Sequence, residues 1–592
     1  MIKREYFRIV IWIFLVLWIL TSFAALAGMY RLWWQREQKL YLGKDVTQQR
    51  IAVFKRAGLP AEILGTIDTI NQNWPLDIRY EALGNQNIMS YLSYLLIPRV
   101  PSKMSDFKVY FEDGVLKYQG PKDSYSSNFR HNKTPHYKGF LFSVILVSGI
   151  AILIQKSLGS VSLSLPESFG LSFLLLMALV LLSIKLFESA NTGFRVASGI
   201  GIIGWGYTIL SCIKRRHYLK IDTLRKNCFS FFSSLFSNKK LETILVFSAC
   251  LILVLSLFWS ILMSVVVVPD DWDAWAIWGS KAKLLALGHG PLIDVTKFGH
   301  PDYPLLWPSI WSFSGWCAGG WEEQWSRGWG SVFLVLSAWE LFLIIRRKTQ
   351  SEVAGMLTAA FFLSVPMVPL LASWSYAEAP LWLMMLCGLA FLFQWQKSGK
   401  KYDVVMAGVF CAAAAYTKNE GVLFALLLGL WFAALPGNRV VSVAVFFSVF
   451  LACYAPWIYW TRVVHDLGSH AIAGLSLSAK SIQLAVDRLP TALEAISRMW
   501  FDIRQWSIVG WGMGIAWVYF LFSPRTRNRF ALLFPAFMLA AFLTIVLFHT
   551  ADITWQVNTS WNRLTVQVLP LFFVTVIPEV WHQLFLDRIN GN

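Results

Sequence analysis

Charge is scarce in this chain. Of 592 residues only 15% are Asp, Glu, Lys or Arg, while 56% are apolar; soluble domains carry about 25% charge. That shortage excludes a disordered chain and a coiled coil, and it leaves an ordinary soluble enzyme unable to cover its apolar surface. Cysteine is sparse too: Cys212, Cys228, Cys250, Cys317, Cys387, Cys411 and Cys453. Only Cys317 falls in a segment read below as external, so no intramolecular disulfide is expected on that side. No CxxC and no Cys/His ligand spacing occurs, which argues against a structural zinc site.

What the chain has instead is long apolar runs, and these point to a polytopic α-helical membrane protein. Residues 1–30 read as a retained signal-anchor helix, since no small-x-small cleavage site precedes the basic flank WWQREQK. Further spans are expected near 139–157, 168–187, 195–213, 243–268, 328–346, 353–372, 378–396, 402–417, 421–436, 438–460, 506–523, 529–549 and 563–581, about fourteen in all. Residues 31–138 read as a small external α/β domain. A helix is expected at Gln86–Leu96, and a hairpin around Asp113-Gly114, a pair that suits a type I′ turn. Residues 139–242 form accessory helices and a basic loop, leaving 243–592 as the main helical core.

The net charge of +18 sits largely in short loops at 214–226, 346–348, 396–401 and 523–529. All fall on one side with the basic N-terminus, so they orient the chain by the positive-inside rule and do not imply nucleic-acid binding. The opposite, external face then receives 31–138 and the segments 269–327, 373–378, 461–505 and 550–562.

That face carries the informative motifs. VVVPDDWDAW places Asp270, Asp271 and Asp273 directly after a span. Crowded carboxylates there repel one another, which raises a pKa and suits a general base. One of them, Asp271 before all, also suits a helix cap, leaving Asp273 as the freer acid. Lys281 and Lys283 fit either a phosphate at headgroup level or simple snorkelling. HPDYPLLWP holds His300 and Asp302 separated by one residue and locked by Pro301 and Pro304, as a pre-organised pair or a stiffened loop. SWSYAEAP contributes Glu378, YTKNEG contributes Lys418 and Glu420, and the last external turn contributes Arg563. Ionisable residues bordering spans are functional candidates. The tryptophans of 272–329, several spaced i,i+4, read as a helix lying in the interface.

With these residues in place the chain resembles the GT-C superfamily of membrane glycosyltransferases. The likeness is to the branch of protein O-mannosyltransferases and the lipid A aminoarabinose transferase, across roughly 243–581. PDDWDAW stands where that family has an acidic motif in its first large external loop. The usual Asp-Glu pair is replaced by Asp-Asp-Trp-Asp, and four spans and a soluble domain precede the core. The resemblance implies a polyprenyl-phosphate sugar donor and a glycan, lipid or protein acceptor. It also implies a bacterial inner-membrane location with the site facing the periplasm. Asp273 or Asp271 would be the base, Lys281, Lys283, Lys418 or Arg563 would hold the phosphate, and Glu378 or Glu420 would orient substrate. Asp271, Asp273 and Glu378 are hard oxygen ligands, so a divalent cation fits the chemistry without being required. Two other readings stand beside this one: a transporter or flippase, and a ligase moving whole glycans from a polyprenyl diphosphate.

Overall fold

The computed structural model describes residues 2–37, 44, 48–49, 51–52, 63–73, 79–83, 93–97, 99–101, 107–112, 115–119, 137–158, 163–214, 240–268, 271–288, 292–435, 439–467, 478–523, 526, 529–549 and 551–585. Among these, nine helices are long and apolar enough to cross a bilayer, which makes the chain a multi-pass helical membrane protein. They are Val10–Gln35, Tyr137–Ser157, Leu165–Phe187, Thr243–Val266, Trp325–Thr349, Glu378–Ser398, Arg439–Val464, Arg529–Phe548 and Ile553–Leu584.

The other five expected spans also lie on helix, and four of them depart from a simple crossing for a visible reason. The 353–372 stretch breaks at Pro366 into Glu352–Ser364 and Met367–Ser373, bent by 68°. Lys401–Thr417 and Glu420–Ala434 have only 17 and 15 residues. Ile503–Phe522 is interrupted by left-handed backbone at Ser507. Asn191–Lys214 is one continuous helix of 24 residues that carries five glycines.

Two of those glycines have a packing role. Tyr137–Ser157 and Asn191–Lys214 cross so closely that a Cβ on Gly201 or Gly204 would strike the facing backbone carbonyl of Leu146 or Gly149. Small residues allow such contact where lipid supplies no hydrophobic drive. The first helix is held by distant partners. Trp18 Nε1 donates to Ser364 Oγ at 2.9 Å, and the Phe14 ring lies against Gly512.

Ahead of Tyr137 lies a four-stranded sheet in the order β2-β1-β3-β4, formed by Arg79–Leu83 (β1), Val100–Pro101 (β2), Lys108–Glu112 (β3) and Val115–Gln119 (β4). β1 runs parallel to both neighbours, whereas β3 and β4 form the antiparallel hairpin expected from their alternating pattern. Its turn, Asp113-Gly114, lies outside the described residues, as do Asp270, 215–226 and most of the 86–96 helix apart from its helical end at 93–96.

This region reaches into the 271–327 loop. Tyr94 accepts Lys283 through its carbonyl at 2.9 Å and Trp321 through its hydroxyl at 3.1 Å, and Gln49 accepts Gln324 at 2.8 Å. A buried Arg327 joins the loop to two helix ends. It donates to Val267 O at 2.6 Å, beyond the Thr243–Val266 span, and to Ser373 O at 2.8 Å. Those are the terminal carbonyls a helix leaves unsatisfied, so a cation there is well placed.

Candidate functional site

The loop after Val266 turns into a wide helical turn, Ala274–Gly279, with Asp271 and Asp273 at its start. Asp271 Oδ1 accepts the Asp273 amide at 3.3 Å, the local bond a capping acid makes, and it also accepts the Tyr376 hydroxyl. Burial raises the Asp271 carboxyl above the usual carboxylate range, with the Tyr376 bond opposing. Asp273 makes no cap. The expectation that it is the freer acid needs correction, because its carboxylate is paired with the Arg563 guanidinium.

Arg563 stands at the start of the Asn562–Phe585 helix and serves two acids. Its Nε lies 3.2 Å from Glu378 Oε1, and its guanidinium sits 4.2 Å above the Tyr376 ring. Glu378 begins its own helix, where the dipole favours a carboxylate. Its Oε1 also accepts Lys418 at 3.0 Å and Gln567 at 3.3 Å. Lys418 closes the network with Glu420 at 2.9 Å. Burial alone would push the Lys418 ammonium down, but Glu378 and Glu420 outweigh it and raise it. Asp273, Glu378, Lys418, Glu420 and Arg563, from four separate segments, thus form one connected ionic cluster.

Asp302 joins from the HPDYP loop. It is buried, accepts Asn419 at 2.7 Å and pairs with Arg462 at 3.4 Å. Next to it, Tyr303 stacks on His300 at 4.6 Å and on Trp278 at 5.3 Å. Burial lifts the Tyr303 hydroxyl well above the ordinary phenol value, and Glu420, Asp302 and Asp273 add to this while Arg563 opposes it. The group therefore remains a proton donor facing those acids. Three carboxylate oxygens of these acids, Asp302 Oδ1, Glu378 Oε2 and Glu420 Oε2, are buried without a hydrogen bond.

The two lysines behave differently from expectation. Lys281 is fully buried and donates to the carbonyls of His300 at 2.6 Å and Tyr303 at 3.3 Å. Burial pushes its ammonium down to about 7, against the pull of Asp302. Lys283, also fully buried, donates to the Tyr94 carbonyl. Neither presents a cation to a phosphate: both pin the loop from behind. His300 acts here through its backbone, as the acceptor for Lys281.

A second correction concerns the tryptophans. Trp278, Trp307, Trp311 and Trp329 have no exposed surface, so the 272–329 segment is a packed interior layer and not an interfacial helix. Their indoles support the site. Trp307 Nε1 donates to Ser375 O at 2.8 Å, holding the loop that carries Tyr376 and Glu378. Ser375 (φ 65°) and His300 (φ 50°) adopt left-handed backbone, a strain that non-glycine residues sustain only where packing enforces it. These two strained residues flank the cluster.

Sequence reasoning passed over Tyr376, Tyr303, Asn419, Gln567 and Arg462. The first three lie inside the quoted motifs SWSYAEAP, HPDYPLLWP and YTKNEG, and Gln567 follows Arg563 by one helical turn. Arg462 had no such signal.

Among the described residues no three His, Cys, Asp or Glu side chains converge in a way that could hold a metal ion. The three acids considered as ligands already face cations or a phenol: Asp273 on Arg563, Glu378 on Lys418 and Arg563, and Asp271 on Tyr376. They do not fit a divalent cation. No protein-family model, no curated protein and no solved structure matches this chain.

Proposed function

We propose that this protein is an integral-membrane glycosyltransferase. It moves a sugar from a polyprenyl-phosphate donor to an acceptor hydroxyl on a glycan, lipid or protein, at the periplasmic face of a bacterial inner membrane. One observation carries the reading: a buried Lys418, a partly buried Arg563 and a set of carboxylates, some with unsatisfied oxygens, converge at the ends of membrane helices. A sugar phosphate needs both. Its hydroxyls donate to orphan carboxylate oxygens such as Asp302 Oδ1 and Glu420 Oε2, and its phosphate takes Arg563 and Lys418.

In this reading the donor prepares the base. The phosphate competes with Asp273 for Arg563 and releases a carboxylate that the resting protein holds paired. The freed Asp273 accepts the proton of the acceptor hydroxyl as its oxygen attacks the anomeric carbon. The bond from that carbon to the phosphate oxygen breaks, and its electron pair leaves with the polyprenyl phosphate. Positioning and charge neutralisation supply most of the rate. Asp271, held by Tyr376, is the second candidate for the base.

Membranes containing the protein are supplied with polyprenyl-phosphate sugars bearing a radiolabel. Asp273→Asn is expected to lower transfer by about 10²-fold or more, the scale of general-base loss, with expression unchanged. Asp271→Asn is expected to act mainly on stability, at about 1 kcal/mol or less, since asparagine is a competent cap. Reversed effects would exchange the two roles, and unchanged transfer in both would remove the loop from the chemistry. Translocation of the donor without transfer to any acceptor would favour a flippase, and movement of an intact oligosaccharide would favour a ligase.

A further inference from the structure

The Ala479–Trp500 helix carries three distinct stripes along its length. At 100° per residue, Ala485, Ala492, Ile496 and Met499 fall within about 60° of one another, and all four are buried. A second stripe of similar width holds Ile482, Val486, Leu489 and Leu493. Leu489 is partly buried, whereas Ile482 is 45%, Val486 56% and Leu493 50% exposed. A third, about 120° from the second, holds Lys480, Gln483, Asp487, Glu494 and Arg498. One face packs on protein, one is polar, and one is apolar with nothing against most of it.

Its depth is fixed by its partners. Arg488 donates to Leu547 O at 3.3 Å and to His549 O. Those carbonyls close the Arg529–Phe548 span, so the middle of the helix lies level with the point where that span leaves the membrane. The chain reaches the helix from the end of the Arg439–Val464 span. It leaves through Phe501 and Ile503, which are 71% and 42% exposed and extend the apolar surface. With Lys480, Asp487, Arg488, Glu494 and Arg498 in 22 residues, the helix is too charged to cross the bilayer.

We propose that Ala479–Trp500 lies in the plane of the membrane boundary, with Ile482, Val486, Leu489 and Leu493 seated among lipid acyl chains and the Lys480–Arg498 stripe at the headgroups and water. The occupant of the free face is lipid, because Arg488 holds the helix where the neighbouring span leaves the membrane and the apolar stripe is separated from the polar one as an in-plane helix requires. The helix packs against the Ile553–Gln556 turn and the Val557–Trp561 turn that lead into Arg563, so the bilayer braces the candidate site from the side. The inference is independent of the chemistry proposed above.

The test uses the full chain in its native membrane, with a benzophenone amino acid placed singly at Ile482, Val486 or Leu493, and at Gln483 or Glu494. After irradiation the purified protein is weighed for phospholipid adducts. The apolar positions are expected to exceed the polar ones by about tenfold, the contrast of acyl and aqueous surroundings across one helix. Three positions on one exposed stripe guard against a single misfolded variant. Equal lipid labelling on both stripes would overturn the proposal. So would a protein adduct at the apolar positions, since a partner and not the bilayer would then cover them.

Discussion

Two buried acidic clusters occupy opposite stretches of the same helix, and they are built on different principles. At the first residue of Glu378–Ser398, Glu378 is met by Lys418, Arg563 and Gln567. Sixteen residues further on, about 24 Å at 1.5 Å per residue, Gln394 reaches Glu167 at 3.4 Å. Glu167 and Glu340 are both buried and are joined through one residue: Ser164 donates its amide to Glu167 at 2.6 Å and its hydroxyl to Glu340 at 2.9 Å. The nearest cation is the partly exposed Arg347, 3.9 Å from Glu167. That second cluster is a capping box with an added carboxyl, and its hydrogen bonds also finish a helix end. The first is carried on strained loops and finishes no helix end through Asp273, while both clusters leave carboxylate oxygens unsatisfied, Glu340 Oε1 in the second among them. Secondary-structure needs account for one, and they do not account for the other.

The sharpest way to break that contrast is to neutralise one acid in each. Glu378→Gln leaves the buried Lys418 and the partly buried Arg563 with too little negative charge, and should cost about 3–5 kcal/mol, the scale of a broken buried pair. Glu340→Gln keeps an acceptor for Ser164 and should cost about 1 kcal/mol. Denaturant unfolding in detergent measures both, and equal losses would mean that the two clusters serve stability alike.

A second comparison uses pH. The Lys281 ammonium, which pins the His300–Tyr303 loop, is held at about 7 in the folded chain against an ordinary value of 10.5. Between those values the unfolded chain binds the extra proton, so this residue makes stability rise as pH increases from about 7 to 10.5 and contributes a flat term below. Thermal unfolding across that window should show the slope in the parent protein and less of it in Lys281→Met, whereas Glu340→Gln should leave it intact.

The smallest expected effect is at Tyr376. Tyr376→Phe removes a hydrogen bond that holds the Asp271 carboxyl down, so that carboxyl should rise further. If Asp271 takes part in transfer, the acid limb of the pH–rate profile moves to higher pH, with about 1 kcal/mol lost in stability. An unmoved limb would assign Tyr376 to packing under Arg563 alone.

The membrane class could be read directly, because apolar runs of twenty residues have few alternatives. Among the described residues, however, nine of the roughly fourteen expected spans are long and apolar enough to cross, and the charged Ala479–Trp500 helix had no such signal. The β3–β4 hairpin was equally plain from its alternation around Asp113-Gly114. Convergence was harder. Glu378, Lys418, Glu420 and Arg563 were each visible as charges at span ends, yet which acid meets which cation depends on how the helices pack. Arg563 therefore claimed Asp273, the acid that looked freest. Lys281 and Lys283 misled because a lysine near a span end reads the same whether it faces lipid headgroups or a carbonyl behind the loop. The tryptophans misled for a related reason: i,i+4 spacing marks one helix face and does not say whether that face meets lipid or protein.

The bond from Trp18 to Ser364 sets a schedule for biosynthesis. Its two ends are separated by 346 positions, and at 5–20 residues per second roughly 20–70 s pass between their emergence. The Phe14 ring, lying against Gly512, waits longer still. The first helix gains an earlier partner, because the Tyr30 hydroxyl donates to Leu255 O at 2.9 Å, in the Thr243–Val266 span. It joins the bundle in stages, so a nascent chain arrested between Phe258 and Ser364 should hold that helix by its Tyr30 end while its Trp18 end still faces lipid.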